Sequence, residues 1–163
     1  MGVGVSRIIR VSVPEIFYFS VDYGKQFDEM RSSGIFLLTD DGIVEQHFPI
    51  SYQKKGIIPY EATYLSWSSP MPSFVAARGI IQKDPERPWS LPRIEHAFSL
   101  GTIMPEGIHS QRSVAILDAH ATVDSEHYAV RMDCSEKVWK LIRPKRPEKW
   151  DAFTSFLAVR EIA

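Results

Sequence analysis

Three groups of side chains in this 163-residue chain have the types and spacing that chemistry needs. The first is Asp118, His120 and His127. Asp118 and His120 stand two apart in an alternating stretch, so on a strand both project to one side. A carboxylate and an imidazole within reach of each other form an acid–base pair or the start of a transition-metal site. The plain alternative is a solvated sheet face laced with cross-strand ion pairs, each worth roughly 0.2–1 kcal/mol. The second group is Cys134, the single cysteine. At the start of a helix it would gain thiolate character from the dipole, with His127 as a general base. The adjacent Asp133 opposes that, and a lone cysteine is most often a small buried hydrophobe. The third group is basic and aromatic: Lys137, Trp139, Lys140, Arg143, Lys145, Arg146 and Lys149, closed by Trp150. Its six cations against one acid, Glu148, give +5 locally, so the rest of the chain carries −6 for a total of −1. Such a strip holds phosphates while a ring or guanidinium stacks on a base, or it meets an acidic protein surface. Otherwise it is a solvated helix face followed by a soluble connector.

Asp118-Ala119-His120 superficially resembles the opening motif of metallophosphoesterases. That family also carries Gly-Asp and Gly-Asn-His motifs further on. Neither occurs in the 43 residues after His120, so no role is carried over. The sequence has no dinucleotide-binding glycine fingerprint after a strand, no P-loop, no Gly-X-Ser-X-Gly elbow and no His-Glu-X-X-His. His96 and His109 have no partner by spacing.

The chain's size and make-up point to a single domain over 1–163, large enough to fold without a staple. With 44% hydrophobic and 24% charged residues it has a globular composition. The near-zero net charge gives no global pull toward nucleic acid or anionic membranes, so any such preference is local. One cysteine excludes an internal disulfide and a four-cysteine zinc site. The apolar runs are too short to span a bilayer and no signal-peptide pattern opens the chain, which makes a cytoplasmic address the default. Met1-Gly2-Val3-Gly4-Val5-Ser6 fits the loose N-myristoylation pattern, although a lead-in to the first strand is the simpler reading.

The elements that must position these groups follow from patterning. Eight of the eleven prolines lie between Pro49 and Pro105, which argues against long helices and central strands there. Strands are expected at 5–13 and 16–23, meeting at Pro14. A short helix is expected at 25–32, with Phe27 and Met30 three apart and Gly34 ending it. Asp41-Gly42 between apolar runs predicts a type I′ hairpin that pairs 38 with 45 and 36 with 47, leaving Glu45 and His47 on the wetter side. A second hairpin is expected over 113–133, with an even loop near Ser125-Glu126 that sets Arg131 opposite His120 and Asp133 opposite Asp118. Asp133-Cys134-Ser135-Glu136 reads as a capping box opening a helix to about Ile142. A last helix, from Pro147, gathers Trp150, Phe153, Phe156, Leu157 and Val159 on one face.

The expected fold is α+β: an antiparallel sheet, strongly twisted or barrel-like, packed by the C-terminal helix. The leading functional expectation is a non-catalytic binding or accessory protein that engages nucleic acid or an acidic protein through 137–150, with no cofactor. The alternatives are an acid–base or metal-dependent enzyme using Asp118, His120 and His127, and an assembly subunit that self-associates through Tyr60, Tyr64, Trp67 and Phe74.

Overall fold

The computed structural model describes residues 16–34, 36, 38–65, 74–83, 88–103, 112–135, 138–145 and 154–162. Seven strands and three helices lie among them: β1 (Phe17–Asp22), α1 (Phe27–Ser33), β2 (Leu38–Thr39), β3 (Ile57–Leu65), α2 (Phe74–Ile81), α3 (Ile94–Ile103), β4 (Arg112–Val123), β5 (Glu126–Ser135), β6 (Val138–Ile142) and β7 (Thr154–Glu161). The strands form one open sheet in the order β1-β3-β7-β4-β5-β6-β2. It is mixed, because β4 runs parallel to β7 and β2 parallel to β6. The α+β class therefore stands, while the barrel-like and purely antiparallel expectations do not.

The last element corrects the sequence reading most. Residues 154–161 are a strand, not a helix, and β7 lies between β3 and β4. Its side chains alternate between two apolar layers: Leu157 and Val159 join one, Phe156 and Ala158 the other. A strand buried on both faces reads as a continuous apolar run, which helical periodicity also accommodates. Phe156 is buried as expected, and Phe153 lies outside the described residues. The layer holding Leu157 contains Phe27 and Met30 of α1 and Ile94, Ala97, Phe98 and Leu100 of α3. The opposite layer contains Ala77 and Ile81 of α2. The helix that dominates the packing is thus α3, buried from Ile94 through Gly101, and not a C-terminal one.

The proline-rich middle also carries more regular structure than expected. β3 tolerates Pro59 because it precedes the β3–β7 ladder, which starts at Tyr60↔Glu161. Pro59 acts there only as an acceptor, its carbonyl taking the Ile162 N–H at 3.1 Å. The α1 helix is as read, with Phe27 and Met30 buried, Glu29 accepting the Gln26 N–H at 3.1 Å and Gly34 following. The expected strand at 5–13 lies outside the described residues.

Asp41-Gly42 does not close a hairpin. Neither residue has positive φ, and the Ile43 N–H bonds to Asp40 O at 3.0 Å in an ordinary turn. The chain then coils through a second turn, with the Phe48 N–H bonded to Val44 O, while Leu38 and Thr39 pair with β6 instead. Ile43, expected on the mixed face, is buried. A Cβ at 42 would meet the Arg143 guanidinium, the far end of a flexible side chain, which would have to shift aside. The positive-φ pair is Asp124-Ser125, at 50° and 67°, which closes the β4–β5 hairpin with a two-residue loop.

That hairpin has the even loop the pattern requires but not the expected register. Thr122 pairs with His127 and His120 with Ala129, after which the ladder resumes at Ile116↔Val130. Four residues of β4 thus advance against one of β5, and the bulge switches parity. Val114 and Ile116 before it and Ala119 after it share one apolar layer. Arg131 consequently faces Ala115, and Asp133 faces Ser113. The helix expected at 133–142 is also absent. β5 runs through Cys134 to Ser135, and β6 returns antiparallel with Trp139 opposite Cys134.

Candidate functional site

The bulge in β4 places Asp118 at the sheet surface beside the start of α3. The Asp118 N–H leaves the β5 ladder and bonds to Pro92 O at 2.9 Å. Its carboxylate lies 3.8 Å from His120 Nε2 and 3.8 Å from Arg93 Nη1. Asp118 and His120 therefore do meet, as alternation requires, and Arg93 is a third member that spacing did not reveal. His127 belongs to the hairpin tip, where Nδ1 lies 2.9 Å from Thr122 Oγ1. Among the described residues, no three His, Cys, Asp or Glu side chains converge as a metal-binding group. Cys134 is on a strand, so the helix-dipole route to a thiolate does not apply to it.

Arg93 connects this surface pair to a buried polar network. Its Nε reaches Glu95 Oε1 at 3.3 Å, its Nη2 donates to Pro49 O at 2.9 Å and its backbone N–H donates to His96 Nδ1 at 2.8 Å. Glu95 is fully buried. Its other oxygen accepts the Tyr23 hydroxyl at 3.0 Å and the Ser51 N–H at 3.2 Å. The Tyr23 and Tyr60 hydroxyls are 3.0 Å apart. Each phenol has one proton, and Tyr23 gives its own to Glu95, so Tyr60 donates to Tyr23. Lys54, nearby, is ion-paired to Glu161. The result is a directed chain from the Tyr60 phenol through the Tyr23 phenol to a buried carboxylate.

The electrostatics follow from burial and these partners. Burial first, then the Tyr60 hydroxyl and the Glu95 charge, hold the Tyr23 phenol protonated well above the ordinary tyrosine range. Burial also raises the pKa of Tyr60. Lys54 is raised chiefly by its bond to Glu161, so it stays an ammonium. His96 is enclosed by Tyr60, with ring centroids 4.7 Å apart, and by Phe19. Burial, followed by the Arg93 and Lys54 charges, pushes its pKa down to about 3. The ring is therefore neutral at pH 7. With Nδ1 accepting from Arg93, the proton is on Nε2, which is buried without a partner among the described residues. These groups make a scaffold of fixed hydrogen-bond donors, with Tyr23 a donor and not a base.

An open cleft of about 490 Å³ borders this network, between the β1–α1 turn and the 45–55 loop. Tyr23 and Ser51, the two residues that hold the buried Glu95, line it together with Lys25, Lys54 and Lys55. Sequence spacing missed Tyr23, Tyr60, Arg93 and Glu95 because they are far apart in the chain. The available signal was Glu95-His96 inside the otherwise apolar run from Ile94 to Phe98, since buried charges are rare without partners.

The basic segment is described in part. Lys140 on β6 is exposed and registers opposite Asp133, which itself forms a two-pronged ion pair with Arg131. The Arg143 guanidinium packs 4.2 Å over the Tyr128 ring and lies 3.8 Å from Asp40. Lys145, 68% exposed, lies 3.6 Å from Glu126. Only the backbone position of Trp139 is described. Lys137, Arg146, Lys149 and Trp150 lie outside the described residues. Tyr60 and Tyr64, expected in a self-association surface, are buried in the core. No helix among the described residues is long and apolar enough to cross a membrane. No protein-family model, no curated protein and no solved structure matches this chain.

Proposed function

We propose that this protein is a non-catalytic binding module for an anionic partner, nucleic acid or an acidic protein, with Lys140, Arg143 and Lys145 in the contact surface. The supporting observation is the excess of five positive charges within 137–149 together with the exposure of Lys140 and Lys145. The acids beside these cations do not neutralise the surface in an energetic sense. The Lys145–Glu126 approach is 3.6 Å between exposed side chains, and exposed pairs of that kind contribute about 0–1 kcal/mol, whereas the 3.8 Å Arg143–Asp40 pair is partly buried. A phosphate or a partner carboxylate displaces Glu126 from Lys145 at little cost. Arg143 supplies a fixed cation, because its plane rests on Tyr128.

Fluorescence anisotropy with a labelled single-stranded oligonucleotide and with an acidic peptide, each titrated at several salt concentrations, tests the reading. Binding whose affinity falls steeply with ionic strength is expected. Binding to neither probe at micromolar protein refutes it.

The Asp118–His120 contact favours a second reading, an acid–base or metal-assisted enzyme in which Arg93 would orient Asp118. Elemental analysis of the purified protein, and stability with and without added Zn²⁺ or Mn²⁺, tests that reading. A stoichiometric metal or a metal-dependent rise in stability supports it, and neither of these counts against its metal-assisted form.

A further inference from the structure

The cleft beside the buried network has features of its own. Its walls come from two segments that Glu95 ties together: Tyr23 at the end of β1, and the loop carrying Ser51. Arg93 braces the same loop through Pro49 O. A wall held by a fully buried carboxylate keeps its shape without a ligand, which lowers the ordering cost of binding. Three ammonium groups line the cleft, with one carboxylate, Glu45, which accepts the Tyr52 hydroxyl. Lys54 is fixed by Glu161. Lys25 and Lys55 line it from two different segments, are exposed, and make no ion pair with a described residue. Tyr52, 62% exposed, adds an aromatic face.

We propose that this cleft is a binding site for a small phosphate-bearing molecule, whose dianionic group sits between Lys25 and Lys55 while its remainder lies along Tyr52. Two ammonium groups from two segments of the lining suit a compact dianion better than a single one does, because each contributes a charge-assisted hydrogen bond. The volume exceeds that of a bare phosphate and leaves room for an attached ring or chain. Lys54, kept charged by Glu161 and Tyr60, adds a fixed positive potential without being consumed in chemistry. This site is separate from the Lys140–Lys145 surface and does not depend on it.

The test is amide chemical-shift titration of the intact protein with inorganic phosphate and with pyrophosphate. The expected result is saturable shifts at Gly24, Lys25, Ser51 and Lys55, with an apparent Kd of about 1 mM or tighter. The exposed double variant Lys25→Ala/Lys55→Ala should fold normally and bind at least about tenfold more weakly, which is roughly 1.4 kcal/mol. The control Lys140→Ala/Lys145→Ala should bind as the parent does. Unsaturated drift scattered over other lysines overturns the proposal. So does saturable binding that the Lys25/Lys55 variant leaves intact.

Discussion

Glu95 offers the sharpest test of the fold, because it is a fully buried charge with three donors from three parts of the chain. Glu95→Ala leaves the Tyr23 hydroxyl, the Ser51 N–H and the Arg93 guanidinium without their acceptor. Hydrogen bonds to a charged group are worth about 1.5–3 kcal/mol each when one partner is deleted. The three do not simply add. The Arg93 side chain is 34% exposed and recovers hydration, and Tyr23 and Ser51 are only half-buried. The expected loss is therefore about 3–5 kcal/mol, the usual range for breaking a buried pair from one side. Tyr23→Phe removes the link between Glu95 and Tyr60 and should cost about 1–2 kcal/mol. In the double variant Tyr23→Phe/Glu95→Ala the two effects should couple by at least about 0.5 kcal/mol, since the residues share one hydrogen bond. Urea unfolding followed by tryptophan fluorescence measures all three, with the m-value as a check on the unfolded state. A loss below about 1 kcal/mol for Glu95→Ala would refute the network as a structural tie.

Three further outcomes follow from burial and backbone geometry. His96 has a folded pKa of about 3 against an ordinary 6.5, so the unfolded chain takes up the proton first. Its contribution is intact above about pH 6.5 and is lost by up to about 1.4 kcal/mol per pH unit as pH falls toward 3. His96→Asn should flatten the pH dependence of the urea midpoint between pH 6.5 and 4, and an unchanged slope counts against a buried neutral imidazole. Phe156→Ala should cost about 3–5 kcal/mol, because Phe156 packs between β7 and α2 at 1% exposure; a loss near zero would mean residues 154–161 do not form the central strand. Ser125→Gly should raise stability by up to about 1 kcal/mol, because Ser125 holds φ at 67°, and thermal unfolding that shows a decrease would contradict the turn geometry.

The parts legible in the sequence were those governed by local pattern. The α1 helix was legible because Phe27, Met30 and Gly34 satisfy spacing and termination together. The alternation of β4 and β5 was legible, but their register was not. The Leu117–Ala119 bulge is marked by no glycine or proline, and it is held by the Pro92 carbonyl, a partner distant in sequence. The type I′ signal misled at Asp41-Gly42 because neither residue takes a positive φ there; Gly42 instead lies against the Arg143 guanidinium. For β7, burial on both faces erased the alternation that would have identified a strand. Of the candidate site, the contact between Asp118 and His120 was readable from parity. Arg93, Glu95, Tyr23 and Tyr60 come together only through tertiary packing.

The salt dependence of oligonucleotide binding probes the proposed function most directly. Single-stranded nucleic acid gives a slope of log K against log salt of about −0.7 per phosphate neutralised. If Lys140 and Lys145 each contact one phosphate, Lys140→Ala/Lys145→Ala should make the slope shallower by about 1.4 and weaken binding across sequences. A slope and affinity equal to those of the parent would contradict the assignment of this surface to an anionic partner.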